Sequence, residues 1–138
     1  MQEQENIALV QRLYAAFSTG DIQTILNNAS PNAEWVNYGP PTIPYAGNFT
    51  GRVAAFFKAI DESTAGGKVI ADKFIAQGDN VVSIARYTAN VRNTGAKIDT
   101  PVAHIFTVRD GKVTSWVGFS DSAAVAAAHT GAAAAMKR

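Results

Sequence analysis

Two side chains with acid/base chemistry, His104 and Asp121, lie in the last third of the 138-residue sequence. An imidazole exchanges protons near neutral pH, and a carboxylate does so where burial raises its pKa. Each residue also has a structural interpretation. His104 lies in a predicted strand, where a histidine is often a hydrogen-bonded structural or interface residue, whereas Asp121, between Ser120 and Ser122, can cap the helix that follows. Both interpretations stay open from the residues alone.

Other kinds of reactive site have little support in the sequence. The chain has no cysteine, which excludes a disulfide scaffold, an iron–sulfur cluster, a thiolate zinc site and a cysteine nucleophile. The two histidines, His104 and His129, have no carboxylate nearby at metal-ligand spacing. Gly66-Gly67 lacks the Lys-Ser/Thr of a phosphate loop. We therefore expect neither a metal nor a cofactor.

Composition and charge restrict the class of protein. With 47% hydrophobic and 17% charged residues the chain is expected to fold, and its length predicts one domain over 1–138. A net charge of +1 is too small for the basic surface that duplex binding needs, so nucleic acid is not an expected partner. The first six residues carry no signal-peptide pattern, and no apolar run approaches the roughly 20 residues of a membrane span. We expect a cytoplasmic protein without membrane contact.

Four helices are predicted. Apolar residues recur at helical spacing over 7–17, 22–26 and 53–60, and an alanine-rich segment follows Asp121, with an end over 132–138 that is expected to fray. The boundary signals are Gly20 after the first helix, Asp21 as the cap of the second, Pro31 after it, Thr50 or Gly51 at the start of the third, and Ala65-Gly66-Gly67 at its end.

Strands are predicted where the apolar period changes to two. The first covers 33–38 and is followed by a shaped, proline-rich loop over 39–50. Four more strands, 68–77, 81–92, 97–109 and 112–119, are joined by turns too short for parallel crossovers, which predicts an antiparallel meander. The order of elements indicates an α+β fold in which helices cover one face of a curved sheet.

Several short motifs follow one another along the chain: Val10-Gln11-Arg12-Leu13-Tyr14-Ala15-Ala16-Phe17, Gly20-Asp21, Ala33-Glu34-Trp35, Pro44-Tyr45-Ala46-Gly47, Gly51, Phe56-Phe57, Gly78-Asp79, His104 and Asp110-Gly111-Lys112-Val113. In this order and spacing they resemble the SnoaL-like branch of the NTF2-like superfamily, over nearly the whole chain. The resemblance implies a cone-shaped α+β fold with N-terminal helices packed on a curved antiparallel sheet around a deep pocket. It also implies a homodimer formed through the outer face of the sheet.

The resemblance does not by itself give the reaction, because the superfamily contains polyketide cyclases, ketosteroid isomerases, dehydratases, epoxide hydrolases and non-catalytic modules. Alignment with the isomerases through Gln11-Arg12 and Gly20-Asp21 places their tyrosine at Leu13, with Tyr14 one step along. Their base falls on Asn37 and their acid on Ala103. An amide cannot abstract a proton at neutral pH, so ketosteroid isomerase activity in its usual form is not expected.

The resemblance to polyketide cyclases, which use an aspartate late in the sheet, makes Asp121 the candidate acid/base group and His104 its proton partner or orienter. The hairpin at Asp110-Gly111 complicates this assignment. With a two-residue loop, Arg109 pairs with Lys112, His104 lies opposite Val117, and the imidazole faces the dimer interface. A bulge near Pro101 would turn His104 to the other face, and the sequence does not decide between the two.

The candidate pocket wall is mostly aromatic. Trp35 and Asn37 share one face of the first strand and are the firmest candidates. The others belong to helices, to the proline-rich loop that is a candidate lid, or to later strands, and each can instead be a core residue. The predicted substrate-binding residues are Tyr14, Phe17, Trp35, Asn37, Tyr45, Phe57, Tyr87 and Trp116.

These features predict a protein that binds a small, apolar, carbonyl-bearing organic molecule and catalyses cofactor-free acid/base isomerisation, cyclisation or dehydration. The alternative is a non-catalytic ligand-binding or dimerisation module, which the loss of all three isomerase groups favours. A buried carboxylate or imidazole that converges on Asn37 would distinguish them. Apolar residues on both faces of the strands around 81–92 and 97–119 independently predict a homodimer.

Overall fold

The computed structural model describes residues 2–131, so the predicted fraying of 132–138 lies outside the described residues. In chain order the elements are α1 (Gln2–Ser18), α2 (Ile22–Asn27), β1 (Ala29–Asn37), β2 (Gly47–Asn48), α3 (Val53–Ser63), β3 (Thr64–Gln77), β4 (Asn80–Val91), β5 (Lys97–Arg109), β6 (Lys112–Ser120) and α4 (Ser122–Thr130).

Six strands form one mixed sheet in the order β2-β1-β6-β5-β4-β3. Strands β3 to β6 form the predicted antiparallel meander. Strand β1 joins its edge in parallel with β6, pairing Trp35 with Trp116 and Asn37 with Gly118. The short β2 lies within the predicted proline-rich loop and pairs antiparallel with the end of β1.

The helices cover one face of the sheet, which we call the inner face. Val10 and Leu13 of α1 and Phe56 of α3 are buried against inner-face residues such as Val81 and Phe106. Burying each of these side chains contributes roughly 1.5–3 kcal/mol, so the apolar helical stripes are what hold the helices to the sheet. None of the helices in the described range is both long and apolar enough to cross a membrane.

Aspartates cap two of the helices as predicted. Asp21 accepts hydrogen bonds from the Thr24 backbone N–H at 3.2 Å and from the Thr24 hydroxyl at 2.6 Å at the start of α2. Asp121 accepts one from the Ala124 N–H at 3.3 Å at the start of α4. Helix α3 starts later than predicted, at Val53, and its N-cap Arg52 forms no side-chain capping bond.

Two predicted strand boundaries were wrong. Strand β1 begins at Ala29, and its pairing with β6 is irregular between Ala29 and Glu34, a stretch that contains Pro31, which has no N–H to donate to the ladder. Strand β3 begins at Thr64, directly after α3, so Ala65-Gly66-Gly67 lie inside the strand and do not form an irregular segment that ends the helix. Instead the chain enters the strand at once, and Gly66, at φ +69°, forms a bulge there.

A second bulge decides which way His104 faces. Arg109 pairs with Lys112 as predicted, and Val108 pairs with Val113, but Thr107 then pairs with Ser115. Thr114 is the extra residue, and its hydroxyl donates to the Thr107 carbonyl at 3.3 Å.

The bulge shifts the register by one residue, so that His104 lies opposite Gly118. The predicted pairing with Val117, and with it the outward orientation of the imidazole, was therefore wrong. The irregularity lies close to the hairpin and not near Pro101.

Candidate functional site

An inner cavity of about 100 Å³ lies between the helices and the inner face of the sheet. Nine of the ten predicted site residues line it: Tyr14, Phe17, Trp35, Asn37, Tyr45, Phe57, Tyr87, His104 and Trp116. The tenth, Asp121, is not part of the wall. Its side chain is solvent-exposed and serves as the cap of α4.

The polar centre of the inner cavity is a pair formed by Tyr14 of α1 and His104 of β5. The Tyr14 Oη and His104 Nδ1 atoms are 2.7 Å apart, and the two rings meet edge to face with centroids 5.8 Å apart. Tyr14 and His104 each lie one residue after a position given by the isomerase alignment. The alignment gave Leu13 as the tyrosine position, and Leu13 also lines the cavity. It gave Ala103 as the acid position, but the inner face at this point of β5 is occupied by His104.

Both members of the pair are held in their neutral forms. Desolvation by burial lowers the pKa of His104 from 6.5 to about 4. Burial likewise raises the pKa of Tyr14 well above its ordinary value, and the nearby Ser83 hydroxyl offsets part of that rise. At neutral pH the pair therefore has one phenolic proton and one imidazole proton, and its internal hydrogen bond uses one of them. The other proton remains for a ligand in either histidine tautomer.

The wall beside His104 is built from two stacked tryptophans. The Trp35 and Trp116 rings have centroids 5.2 Å apart and an interplanar angle of 25°, and the Trp116 ring lies 5.0 Å from the imidazole. Gly118 makes this arrangement possible. A Cβ at position 118 would lie 2.5 Å from Trp116 Cη2 and 2.9 Å from Asn37 Oδ1. Glycine is thus the residue that lets the imidazole, the indole and the Asn37 amide border the same space.

Asn37 connects the sheet to the loop between β1 and β2. Its Nδ2 donates to the Tyr45 carbonyl at 3.1 Å. The Tyr45 hydroxyl in turn lies 2.9 Å from His129 Nε2 on α4. Burial lowers the pKa of His129 and raises that of Tyr45. This second tyrosine–histidine pair fastens the loop to α4, and His129 itself does not line the inner cavity.

Several buried polar atoms have no hydrogen-bond partner within the described residues. They include Trp35 Nε1 and Tyr87 Oη on the cavity wall, and Ser83 Oγ, which lies directly opposite His104 on β4. Such atoms are costly to bury unpaired. Two of them, Trp35 Nε1 and Tyr87 Oη, belong to side chains that line the cavity.

The wall has no carboxylate among its described residues. Nor does any group of three histidine, aspartate or glutamate side chains in residues 2–131 have the arrangement of a metal site. The arrangement can donate hydrogen bonds to a bound oxygen atom, but it lacks the carboxylate that an isomerase would use to abstract a proton.

Sequence reasoning missed several residues of the wall. Ile43 in the loop, Phe106 on β5 and Val125 on α4 all line the inner cavity. Their apolar character marked them as core, and no spacing signal separates cavity wall from core. Ser83 was missed because a lone serine in a strand carries no chemical signal until its neighbours are known.

Solved structures of other proteins are similar to this chain over almost its whole length. A structure of the protein TerC co-crystallised with polyporic acid has 26% sequence identity and a TM-score of 0.81, covering 91% of this chain and 98% of TerC. An NTF2-like protein from Burkholderia xenovorans LB400 has 29% identity and a TM-score of 0.78, covering 92% and 97%. A putative SnoaL-like polyketide cyclase from Jannaschia sp. CCS1 has 24% identity and a TM-score of 0.77, covering 93% of each chain, and shows the shared fold.

Comparison with curated protein sequences finds no match. The profile of the SnoaL-like domain matches residues 10–116, a segment that includes the second half of α1, the stacked tryptophans and the Tyr14–His104 pair. The NTF2-like neighbours share its helices packed on a curved sheet. The chain therefore belongs to the SnoaL-like domain family and has the NTF2-like fold.

Proposed function

We propose that the inner cavity binds a small, largely apolar organic molecule through a carbonyl oxygen, which accepts a hydrogen bond from the Tyr14–His104 pair. The observation that carries the proposal is the 2.7 Å hydrogen bond between two neutral, buried groups in a wall that is otherwise almost entirely apolar. Few donors in such surroundings favour a ligand with few polar atoms, because each further unpaired oxygen would cost free energy to bury.

The catalytic part of the proposal is polarisation of that carbonyl. With a pKa of about 4 the imidazole is a weak base, so the pair acts by donating a hydrogen bond rather than by removing a proton from carbon. A reaction that fits is an intramolecular cyclisation in which the substrate supplies its own enol. The enol carbon attacks the polarised carbonyl carbon, a carbon–carbon bond forms, and the enol proton passes through the pair to the new hydroxyl group.

The neighbouring structures support an organic ligand for this fold. TerC, 26% identical to this chain, was co-crystallised with polyporic acid.

The alternative function is a binding module without catalysis, and the absence of a carboxylate from the described wall favours it. Asp121, exposed at the start of α4, is a second-choice acid/base group that would have to act at the rim. The cytoplasmic location remains a prediction.

We also propose that the protein is a homodimer joined through the outer face of the sheet. Apolar side chains on that face are half-buried or exposed in the single chain, including Val82, Ile84, Ile105 and Val117, and Ile70 is 59% exposed. A second copy would bury them. Sedimentation equilibrium should give the mass of a dimer, and Ile105→Lys should give a folded monomer; a wild-type monomer at micromolar concentration would contradict the proposal.

Benzoylacetone provides a test of the proposed function, since it is an aryl diketone whose enol and keto forms absorb differently in the ultraviolet. Binding should quench tryptophan emission, because both tryptophans of the chain line the inner cavity. In a benzoylacetone that carries a 4-oxopentyl chain on its central carbon, the enol carbon can attack the ketone of that chain and close a five-membered ring, with loss of the enol absorbance. Wild type should accelerate this ring closure, and Tyr14→Phe should lose about a hundredfold of that rate. Asp121→Asn should leave the rate unchanged.

Each possible result has a distinct meaning. Binding without acceleration would favour the non-catalytic module, and absence of binding would contradict the carbonyl site itself. Loss of the rate in Asp121→Asn, with retained binding and melting temperature, would transfer the catalytic role to Asp121.

A further inference from the structure

A second, larger space adjoins the inner cavity. This outer cleft, of about 520 Å³, lies between the end of α1, helix α3 and the beginning of β3. Phe17, Phe57 and Ile60 line both the outer cleft and the inner cavity. These three side chains therefore form the boundary that the two spaces share.

The bulge at the beginning of β3 makes room for this contact. Gly67 has no side chain. A Cβ at this position would lie 3.0 Å from Phe17 Cζ and 3.6 Å from Tyr87 Cε1. The Phe17 ring thus rests on bare backbone, with its centroid 6.1 Å from that of Phe57 and 6.3 Å from that of Tyr87. The Phe17 ring therefore lies where the inner cavity and the outer cleft meet.

The walls of the two spaces differ in charge. The described wall of the inner cavity has no charged residue, whereas the outer cleft is bordered by Lys58, Arg92 and Asp61. Arg92 Nε donates to the Asp61 backbone carbonyl at 2.8 Å, and the ion pair between its Nη2 and Asp61 Oδ1 is long, at 3.8 Å. Lys58 forms no ion pair or hydrogen bond with the other described residues. Two cations and one carboxylate leave a net positive border.

Polar groups also mark the boundary between the two spaces. Tyr87 Oη, buried without a hydrogen-bond partner in the described residues, belongs to the inner wall. The Thr64 hydroxyl, close enough to influence the pKa of Tyr87, belongs to the outer wall and donates to the Ile60 carbonyl at 2.6 Å. A ligand whose carbon chain carries oxygen atoms could therefore extend from the inner cavity past Tyr87 and Thr64 into the outer cleft without losing all of its hydrogen bonds.

We infer that the ligand is a carboxylate: its apolar carbonyl end occupies the inner cavity, and its anionic end lies in the outer cleft beside Lys58 and Arg92. The inference rests on the proposed function of the inner cavity and adds the substrate class to it. Both spaces are needed. The inner cavity is uncharged and has one donor pair, and the outer cleft, which shares three side chains with it, has unneutralised positive charge.

A matched pair of ligands tests the inference. γ-Benzoylbutyrate has a phenyl ketone joined by a short chain to a carboxylate, and its methyl ester has the same skeleton without the charge. Both should quench tryptophan emission. Wild type should bind the acid about fivefold more tightly than the ester, because two exposed cations each contribute a factor of about two or three. High salt should reduce this preference, since both cations are solvent-exposed.

Two single variants should change the preference in opposite directions, and a third should leave it unchanged. Lys58→Gln should lower the ratio of acid to ester affinity about threefold, and Asp61→Asn should raise it by a similar factor. Lys73→Gln is the control, because this exposed lysine on β3 borders neither space and its loss leaves the same net charge as Lys58→Gln. All three sites are exposed, and melting temperatures should confirm that each variant folds.

The outcomes separate the inference from the proposed function. If the two compounds quench equally and Lys58→Gln binds both like wild type, the anionic subsite is overturned and the carbonyl site stands. If Lys73→Gln lowers the preference as much as Lys58→Gln does, general electrostatics and not the outer cleft explains it, and the inference is again overturned. If neither compound quenches the tryptophans, both proposals fail.

Discussion

The two tyrosine–histidine pairs have the same chemistry in different surroundings. Tyr14 and His104 are 2.7 Å apart on the wall of the inner cavity, whereas Tyr45 and His129 are 2.9 Å apart where the β1–β2 loop meets α4. Burial lowers the pKa of both imidazoles. The first pair has a free space in front of it, beside the Trp116 ring, while His129 borders no part of that space.

This difference shows that a hydrogen-bonded tyrosine and histidine do not make a reactive site by themselves. Tyr45 also lines the inner cavity, but its hydroxyl is paired with an imidazole that does not, and this hydrogen bond joins the loop to α4. The Tyr14–His104 pair, both of whose side chains line the cavity, can offer its free proton to a ligand.

Acidification should destabilise the fold mainly through His104. Its pKa is about 4 in the folded state and 6.5 in the unfolded chain, so between these values the unfolded state binds more protons and stability falls as the pH falls. The loss should approach about 3 kcal/mol by pH 4. Denaturant unfolding across this range should show a smaller loss in His104→Gln than in wild type. An equal loss in His104→Gln, with the slope removed by His129→Gln instead, would reverse the comparison.

Gly118→Ala should disturb the first pair and leave the second intact. The new methyl group would lie 2.5 Å from Trp116 Cη2 and would push the indole away from its position beside His104. Overpacking of this kind costs about 2 kcal/mol. Thermal unfolding should show that cost, and near-ultraviolet circular dichroism should show a changed tryptophan signal. A variant with wild-type stability and spectrum would mean that the wall is looser than the described packing.

Removing one hydroxyl from each pair should separate binding from architecture. Tyr14→Phe should weaken benzoylacetone binding about tenfold, which corresponds to one hydrogen bond of about 1.4 kcal/mol. Tyr45→Phe should change that affinity less than twofold and lower the melting temperature, because it loosens the loop from α4. Titrations of tryptophan emission measure both affinities. Equal losses in the two variants would show that the loop and the cavity form a single unit.

The smallest effect is expected at Asp121, the cap of the helix that carries His129. Asn caps helices about as well as Asp, so Asp121→Asn should cost less than about 0.5 kcal/mol, whereas Asp121→Ala should cost about 1 kcal/mol. Neither variant should alter benzoylacetone affinity. A large stability loss in Asp121→Asn would show that the carboxylate has an interaction beyond capping.

The sequence allowed the elements to be predicted because their signals are local. The apolar stripe of α1, the caps Asp21 and Asp121, and the alternation that puts Trp35 and Asn37 on one face of β1 each depend on residues within a few positions. The family resemblance added the packing of helices on a curved sheet, which the comparisons confirm.

The orientation of His104 could not be predicted in the same way. It depends on one extra residue, Thr114, in the partner strand, and either pairing is compatible with the local hairpin signal. The parallel pairing of β1 with β6 is also non-local, as is the role of Gly118, whose missing side chain matters only because Trp116 and Asn37 lie beside it. Elements follow from neighbours in sequence, whereas the site follows from neighbours in space.

The bulge at Thr114 also has a consequence for how this chain can tolerate changes in length. Because Thr114 is surplus to the ladder, deleting it would join Val113 directly to Ser115 and leave every pairing on both sides as it is. Deleting a residue of β5 between His104 and Thr107 instead would move one side of the ladder by a single position and exchange the inward and outward side chains. Loss of the Thr114 codon would thus keep the imidazole in the cavity. Loss of a codon between His104 and Thr107 would instead turn the imidazole to the outer face of the sheet.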